Sequence, residues 1–302
     1  MNATEQVAYE SRVRMRYAVI AFCAALLIVG GQLISLSGTH TDVDELTLDL
    51  ITINRRFPLD LISAIVNASG LFALMAMLIW THLISRARNL AIRSWIRWLA
   101  TFGVVVITVG TIPDAIMIAI KAHDFVSTGN QSYPQAEALT SGLFFAIASL
   151  LADLGALVLA AAVIWISLNA LRVGLVTRPL GYLGVVAGAL VLFPNGAFAQ
   201  FLQGLWLVGM SVTFAGRWPN GTPPAWTEGI AVPWQPPGQP RAQQTSVRGG
   251  GGAQTRRARR GDVAAAVKET PAAAPTPLAS GDEAPGARRR ANTPKRKRKH
   301  RG

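Results

Sequence analysis

Six stretches of mainly apolar residues dominate the chain, at 17–37, 59–81, 95–119, 139–168, 180–197 and 198–216. Lipid offers no partner to backbone N–H and C=O groups, so a run of about 20 apolar residues crosses a bilayer only as a helix. A soluble core does not need so many nearly charge-free runs. The expected fold class is all-α: a polytopic helical membrane protein with about six transmembrane helices and a disordered basic C-terminal tail. The expected division is a cytoplasmic segment 1–16, a six-helix transmembrane domain 17–216, and a tail 217–302 rich in Pro, Gly, Arg and Lys.

Cations in the connections set the orientation. Arg12, Arg14, Arg16, Arg86, Arg88, Arg93, Arg97, Arg172 and Arg178 fall on one side, and Arg55, Arg56 and Lys121 on the other. The richer side is expected to face the cytoplasm, which places both termini inside. The first run exceeds the usual apolar core of a signal peptide and is read as an uncleaved helix. The fifth and sixth runs, joined at "FPNGA", are either two spans or a re-entrant hairpin. The fourth is longer than a bilayer requires, so it tilts or begins outside, and "SYPQAEALTSG" before it reads as an exposed helix start with Pro134 in its first turn.

The formal charge of +13 belongs almost wholly to the tail: residues 1–216 hold 12 Lys and Arg against 11 Asp and Glu, and residues 217–302 hold 17 against 5. Its Pro, Gly, Ala and like charges cannot bury enough apolar surface to offset chain entropy. Trp218, Trp226 and Trp234 recur every eight residues in its proline-rich part, where they are expected either to lie along the inner membrane face or to stand unconnected in a loop. Three basic clusters follow: Arg256, Arg257, Arg259 and Arg260; Arg288, Arg289 and Arg290; Lys295, Arg296, Lys297, Arg298, Lys299 and Arg301. Their expected partner is anionic lipid headgroup. Nucleic acid would be drawn by the same charges, but no aromatic residue lies among them to stack on bases.

The stretch "RPLGYLGVVAGALVLFP", the later "LWLVGMSVTFAGRWPNGTPPAW" and the basic tail together resemble uncharacterised multi-pass membrane proteins of bacteria, actinobacterial in type. The resemblance covers the last two helices and their Trp-Pro, Pro-Pro-Ala-Trp junction. It implies location and topology, and no catalytic motif.

Function must then rest on polar residues inside the runs. Asp60, Ser63, Asn67 and Gly70 share one face of the second helix. In "TVGTIPDAIMIAIK", Thr108, Thr111, Asp114 and Lys121 occupy one broad side, and Pro113 removes a backbone hydrogen bond beside the carboxylate. Ser149 and Asp153 stand one turn apart. With Gln32, Gln200 and Gln203, these residues form a candidate polar cavity in the outer half, whereas the inner half reads as nearly pure hydrocarbon. Asp114 is expected to meet Asn67 or Asp153.

Gly181, Gly184 and Gly188, like Ala152, Ala156 and Ala160, read as close helix packing within the chain. One cysteine, Cys23, and four scattered histidines leave no expected metal or cofactor site. No enzyme is expected: "ADLG" is not the Gly-x-Gly-Asp motif of intramembrane aspartyl proteases, and no histidine within the runs activates Ser69 or Ser141. Two roles compete. One is a scaffold or accessory protein; the other is a carrier or sensor using the outer cavity for a proton, cation or small cationic ligand.

Overall fold

The computed structural model describes residues 3–36, 46–128, 130–193, 197–219 and 221–232, and among them helix is the only regular structure. The basic clusters of the tail and Trp234 lie outside the described residues. The elements are α1 (Ala3–Leu36), α2 (Leu46–Arg56), α3 (Leu59–Arg88), α4 (Ile96–Thr128), α5 (Tyr133–Thr140), α6 (Leu143–Arg172), α7 (Arg178–Leu190), α8 (Ala197–Phe214) and α9 (Ala225–Glu228).

Four of these, α1, α3, α4 and α6, are long and apolar enough to cross a membrane. They present large apolar side chains outward, among them Leu26, Leu33, Trp98 and Leu150, as a surface solvated by hydrocarbon requires. Both features support a membrane location. The last two runs are shorter. At 1.5 Å per residue α8 covers about 27 Å and α7 about 20 Å, against a hydrocarbon core of about 30 Å. Pro134 falls in the first turn of α5, which is a separate helix before α6.

Small residues let the helices meet. Gly31 sits against Ser63 and Asn67, and Gly70 against Ile28, which joins α1 to α3. Gly103 meets Leu159, Gly155 meets Ile107, and Gly110 meets Ala148 and Ala152, so α4 and α6 run antiparallel. Gly181, Gly184 and Gly188 of α7 lie against Leu171, Ser167 and Ile164 of α6. On α8, Gly209 meets Leu180, Gly204 meets Val29, and the Ser211 hydroxyl donates to the Ala18 carbonyl at 2.8 Å. A Cβ at most of these glycines would strike backbone or a packed side chain. In lipid this contact and the interhelical hydrogen bonds drive association.

The packing order is α3, α1, α8, α7, α6, α4 and back to α3, with α3 also touching α6 across the middle. No packed seam joins α6 to α8, because α7 stands between them. The main core begins at the arginine-rich end and stops at Ile28, Leu74, Val104, Leu159, Ala187 and Trp206. A smaller cluster of Leu50, Ala122, Phe125 and Ala136 joins α2, α4 and α5 at the far end. The main core also takes in Ala225 and Trp226, so the packed body continues past residue 216, where composition had placed the start of the tail.

Candidate functional site

The polar residues singled out in the sequence fall between the two apolar clusters. On α4 the contacts with α6 recur at Gly103, Ile107 and Gly110, and the same spacing continues to Asp114. Asp114 is therefore half-buried on the side facing α6, away from the exposed line of Phe102, Val105, Val109 and Ile116. Thr111, one turn before it, is exposed although it points between the helices. Gln32 lies between the α1 positions that meet α3 and those that meet α8, about a quarter-turn from the exposed line of Phe22, Leu26 and Leu33. Gln203 occupies the matching place on α8, opposite Phe198, Phe201 and Leu205. Both glutamines are only half-buried. One and two turns on, the same face of α8 carries Trp206, Leu207 and Met210, all buried. The main apolar cluster thus ends in the arginine-rich half, and Thr111, Asp114, Gln32 and Gln203 beyond it are half-buried or exposed.

The remaining predicted residues divide. Asn67 packs against Gly31 on the α1 seam, where Ser63 donates its hydroxyl to the Gly31 carbonyl at 2.8 Å. Gln200, one turn before Gly204, is buried on the α1 side. Asp60 pairs with Arg56 at 3.4 Å, and Arg56 also donates to the Ile34 carbonyl. Asp60 borders a cleft of about 210 Å³ with Ile53, Phe57, Leu61, Ala115, Ile118 and Ala119. Asp153 is exposed. It follows Ala152, a seam residue, by one position and so points about 100° away from α4.

Asp114 was expected to meet Asn67 or Asp153. Among the described residues no hydrogen bond joins it to either, because the three belong to different faces: Asn67 to the α1–α3 seam, Asp114 to the α4–α6 seam, and Asp153 to neither. Among the described residues no group of three His, Cys, Asp and Glu side chains could hold a metal. Toward the bundle interior, the polar groups beyond the main core are the Asp114 carboxylate, an acceptor when ionised, and the Gln32 and Gln203 amides and the Thr111 hydroxyl, which both donate and accept.

The arginine-rich end is built differently, and sequence reasoning missed it. Glu10 accepts two hydrogen bonds from Arg88, at 2.8 and 2.6 Å, and one from Gln6 at 3.0 Å. Arg88 donates as well to the Ala225 carbonyl, and the pair is buried, with side-chain exposures of 0% and 5%. Trp226 stands beside two guanidinium groups, Arg14 at 4.3 Å and Arg88 at 5.4 Å from its ring centroid. Its indole N–H donates to the Leu175 carbonyl at 2.9 Å. Trp80 stacks on Tyr17 at 4.2 Å and meets Phe214 and Trp226. Gly174 makes the closing turn with φ +76, and a Cβ there would lie 2.1 Å from the Val232 carbonyl oxygen.

Two expectations are thereby corrected. Trp226 lies in the protein core, neither at a membrane surface nor unconnected in a loop. The half of the bundle toward this end is not pure hydrocarbon, since Thr81, His82, Ser85, Ser167 and Thr213 are all buried in it. Both ring nitrogens of His82 and the hydroxyl of Ser167 have no hydrogen-bond partner among the described residues.

No family model, curated protein or solved structure matches the chain.

Proposed function

We propose that this chain is a multi-pass protein of the bacterial plasma membrane that takes a small polar ligand into the outer half of its bundle and acts as a sensor or carrier. The single observation behind the reading is that the main apolar core ends halfway along the bundle, while Thr111, Asp114, Ser149, Gln32 and Gln203 beyond it retain solvent exposure. Carboxylates, amides and hydroxyls favour a proton, a cation or a small cationic ligand. The cation bias of the connections supports a cytoplasmic position for the arginine-rich end and both termini, and in that orientation the proposed open half faces outward. The ionic and aromatic closure at Trp226 seals the opposite end.

Ligand-linked stability tests this. Purified full-length protein in nanodiscs should unfold at higher temperature as pH, sodium or a short primary amine is titrated. Asp114→Asn should be equally abundant and lose the response. A wild-type protein indifferent to all three would reject the sensor or carrier.

A scaffold or accessory role is the second reading, and the Trp226 closure favours it. This closure fixes residues 225–232, the last described residues before the basic tail, against the turn after α6. That tail is proposed to bind anionic headgroups, and its vesicle binding should weaken with salt. Equal binding to neutral vesicles would rule that out.

A further inference from the structure

Hydroxyls buried within these helices find an acceptor in one of two ways. Thr81 donates to the Met77 carbonyl at 2.8 Å, Ser85 to Thr81 at 2.8 Å and Thr213 to Gly209 at 2.9 Å, each reaching back one turn on its own helix. Ser63 reaches instead across a seam, to the Gly31 carbonyl. Among the described buried hydroxyls within helices, Ser167 does neither. It is 4% exposed, and its Oγ has no hydrogen-bond partner among the described residues, although Val163, four places earlier, offers the carbonyl such a hydroxyl ordinarily takes. A buried polar group left unpaired is costly, so the direction in which Ser167 points matters.

Gly184 of α7 shows that direction. A Cβ built on it would lie 2.4 Å from Ser167 Oγ and 2.6 Å from Trp206 Nε1. Ser167 Oγ and the indole nitrogen are therefore at most about 5 Å apart, the sum of those distances, and they do not hydrogen-bond to each other. Polar atoms at such a separation are ones that a single water can bridge. The neighbouring glycines differ, since a Cβ on Gly181 would meet the Leu171 side chain and one on Gly188 would meet Ile164 and α6 backbone. Of the three, Gly184 alone faces polar side chains. Ser167 and Trp206 also border a cavity of about 10 Å³ with Thr81, Gly181 and Met210, all of them buried. That volume admits one water and nothing larger.

From this convergence we infer that the main core contains a binding site for one internal water, held by the Trp206 indole N–H, Ser167 Oγ and Thr81 Oγ1. The indole only donates, so the water accepts from it. Thr81 has given its proton to Met77, so the water donates there. Ser167 takes the third place and gains the partner it otherwise lacks, and three partners are the usual number for a buried water. No packed seam joins α6 to α8. The water links them past the bare backbone of Gly184, which accounts for glycine at that position by more than close packing. The site lies in the filled half and does not depend on the outer cavity.

A structure of the full chain in nanodiscs, at a resolution that shows ordered waters, tests this directly. Density is expected about 2.8 Å from Ser167 Oγ and about 2.9 Å from Trp206 Nε1. A Ser167 hydroxyl turned onto the Val163 carbonyl, with no density between it and the indole, would overturn the inference. Denaturant unfolding in micelles gives a second reading through a double-mutant cycle. Ser167→Ala should lower the folding equilibrium constant about fivefold in the wild type, the scale of one hydrogen bond. In a Trp206→Phe background, where the water has already lost its donor, the same change should cost less than about twofold. An equal loss in both backgrounds would show that Ser167 and Trp206 share no water, and would overturn the inference as well.

Discussion

Arg88 is shielded from solvent, and Glu10 with the Ala225 carbonyl replaces the water it has given up. A buried pair of this kind matters most when half of it is removed, since the survivor is left charged and unsolvated. Glu10→Gln and Arg88→Met should each cost about 3–5 kcal/mol, read by denaturant unfolding in micelles. The double variant Glu10→Leu with Arg88→Met should lose less than either single one. Additive losses would show that the two do not act as a pair. None of this was legible in the chain, because Glu10 lies in a polar segment among arginines and its partner is 78 residues away. Asp114 was legible as a carboxylate inside an apolar run that must avoid lipid. Which helix it faces was not, since that depends on the position of Gly110 against α6.

Glycine spacing was the most readable feature at the level of the helices. Gly184 and Gly188 pack within the chain as their spacing implied, and Gly103, Gly110 and Gly155 repeat the device between α4 and α6. A Cβ on Gly155 would lie 2.6 Å from the Ile107 nitrogen, whereas one on Gly30 would meet nothing within 4 Å. Gly155→Ala should therefore destabilise by about 1–3 kcal/mol through overpacking. Gly30→Ala should be neutral or stabilise by about 0.5–1 kcal/mol through helix propensity. Matching unfolding midpoints for the two variants would contradict the seam. The sequence did not reveal where α7 ends. Apolar residues continue through Phe193, but the helix closes at Leu190 in a turn formed by Val191, Leu192 and Phe193. The junction after Phe214 read as tail for a related reason. Its prolines and glycines carry no helical periodicity, and its burial comes from single contacts with distant residues such as Leu175 and Arg88.

For the molecule as a whole, apolar length gave a helical membrane protein, and four helices satisfy that length. What length could not give was where the main apolar core ends, and with it the proposed contrast between a filled half and an open half, because filling depends on which side chains meet across six helices. That contrast is the centre of the account, and thiol labelling in intact cells tests it most directly. In a Cys23→Ser background, single cysteines at Thr111, Ser149 and Gln203 should react with a membrane-impermeant reagent added outside. Cysteines at Leu78, Val104 and Met210, buried in the main core, should react only after unfolding, and one at the exposed Asn89 only after the cells are opened. Labelling of Asn89 before lysis, or Thr111, Ser149 and Gln203 as unreactive as Leu78, would contradict an outward-open upper half above a sealed cytoplasmic end.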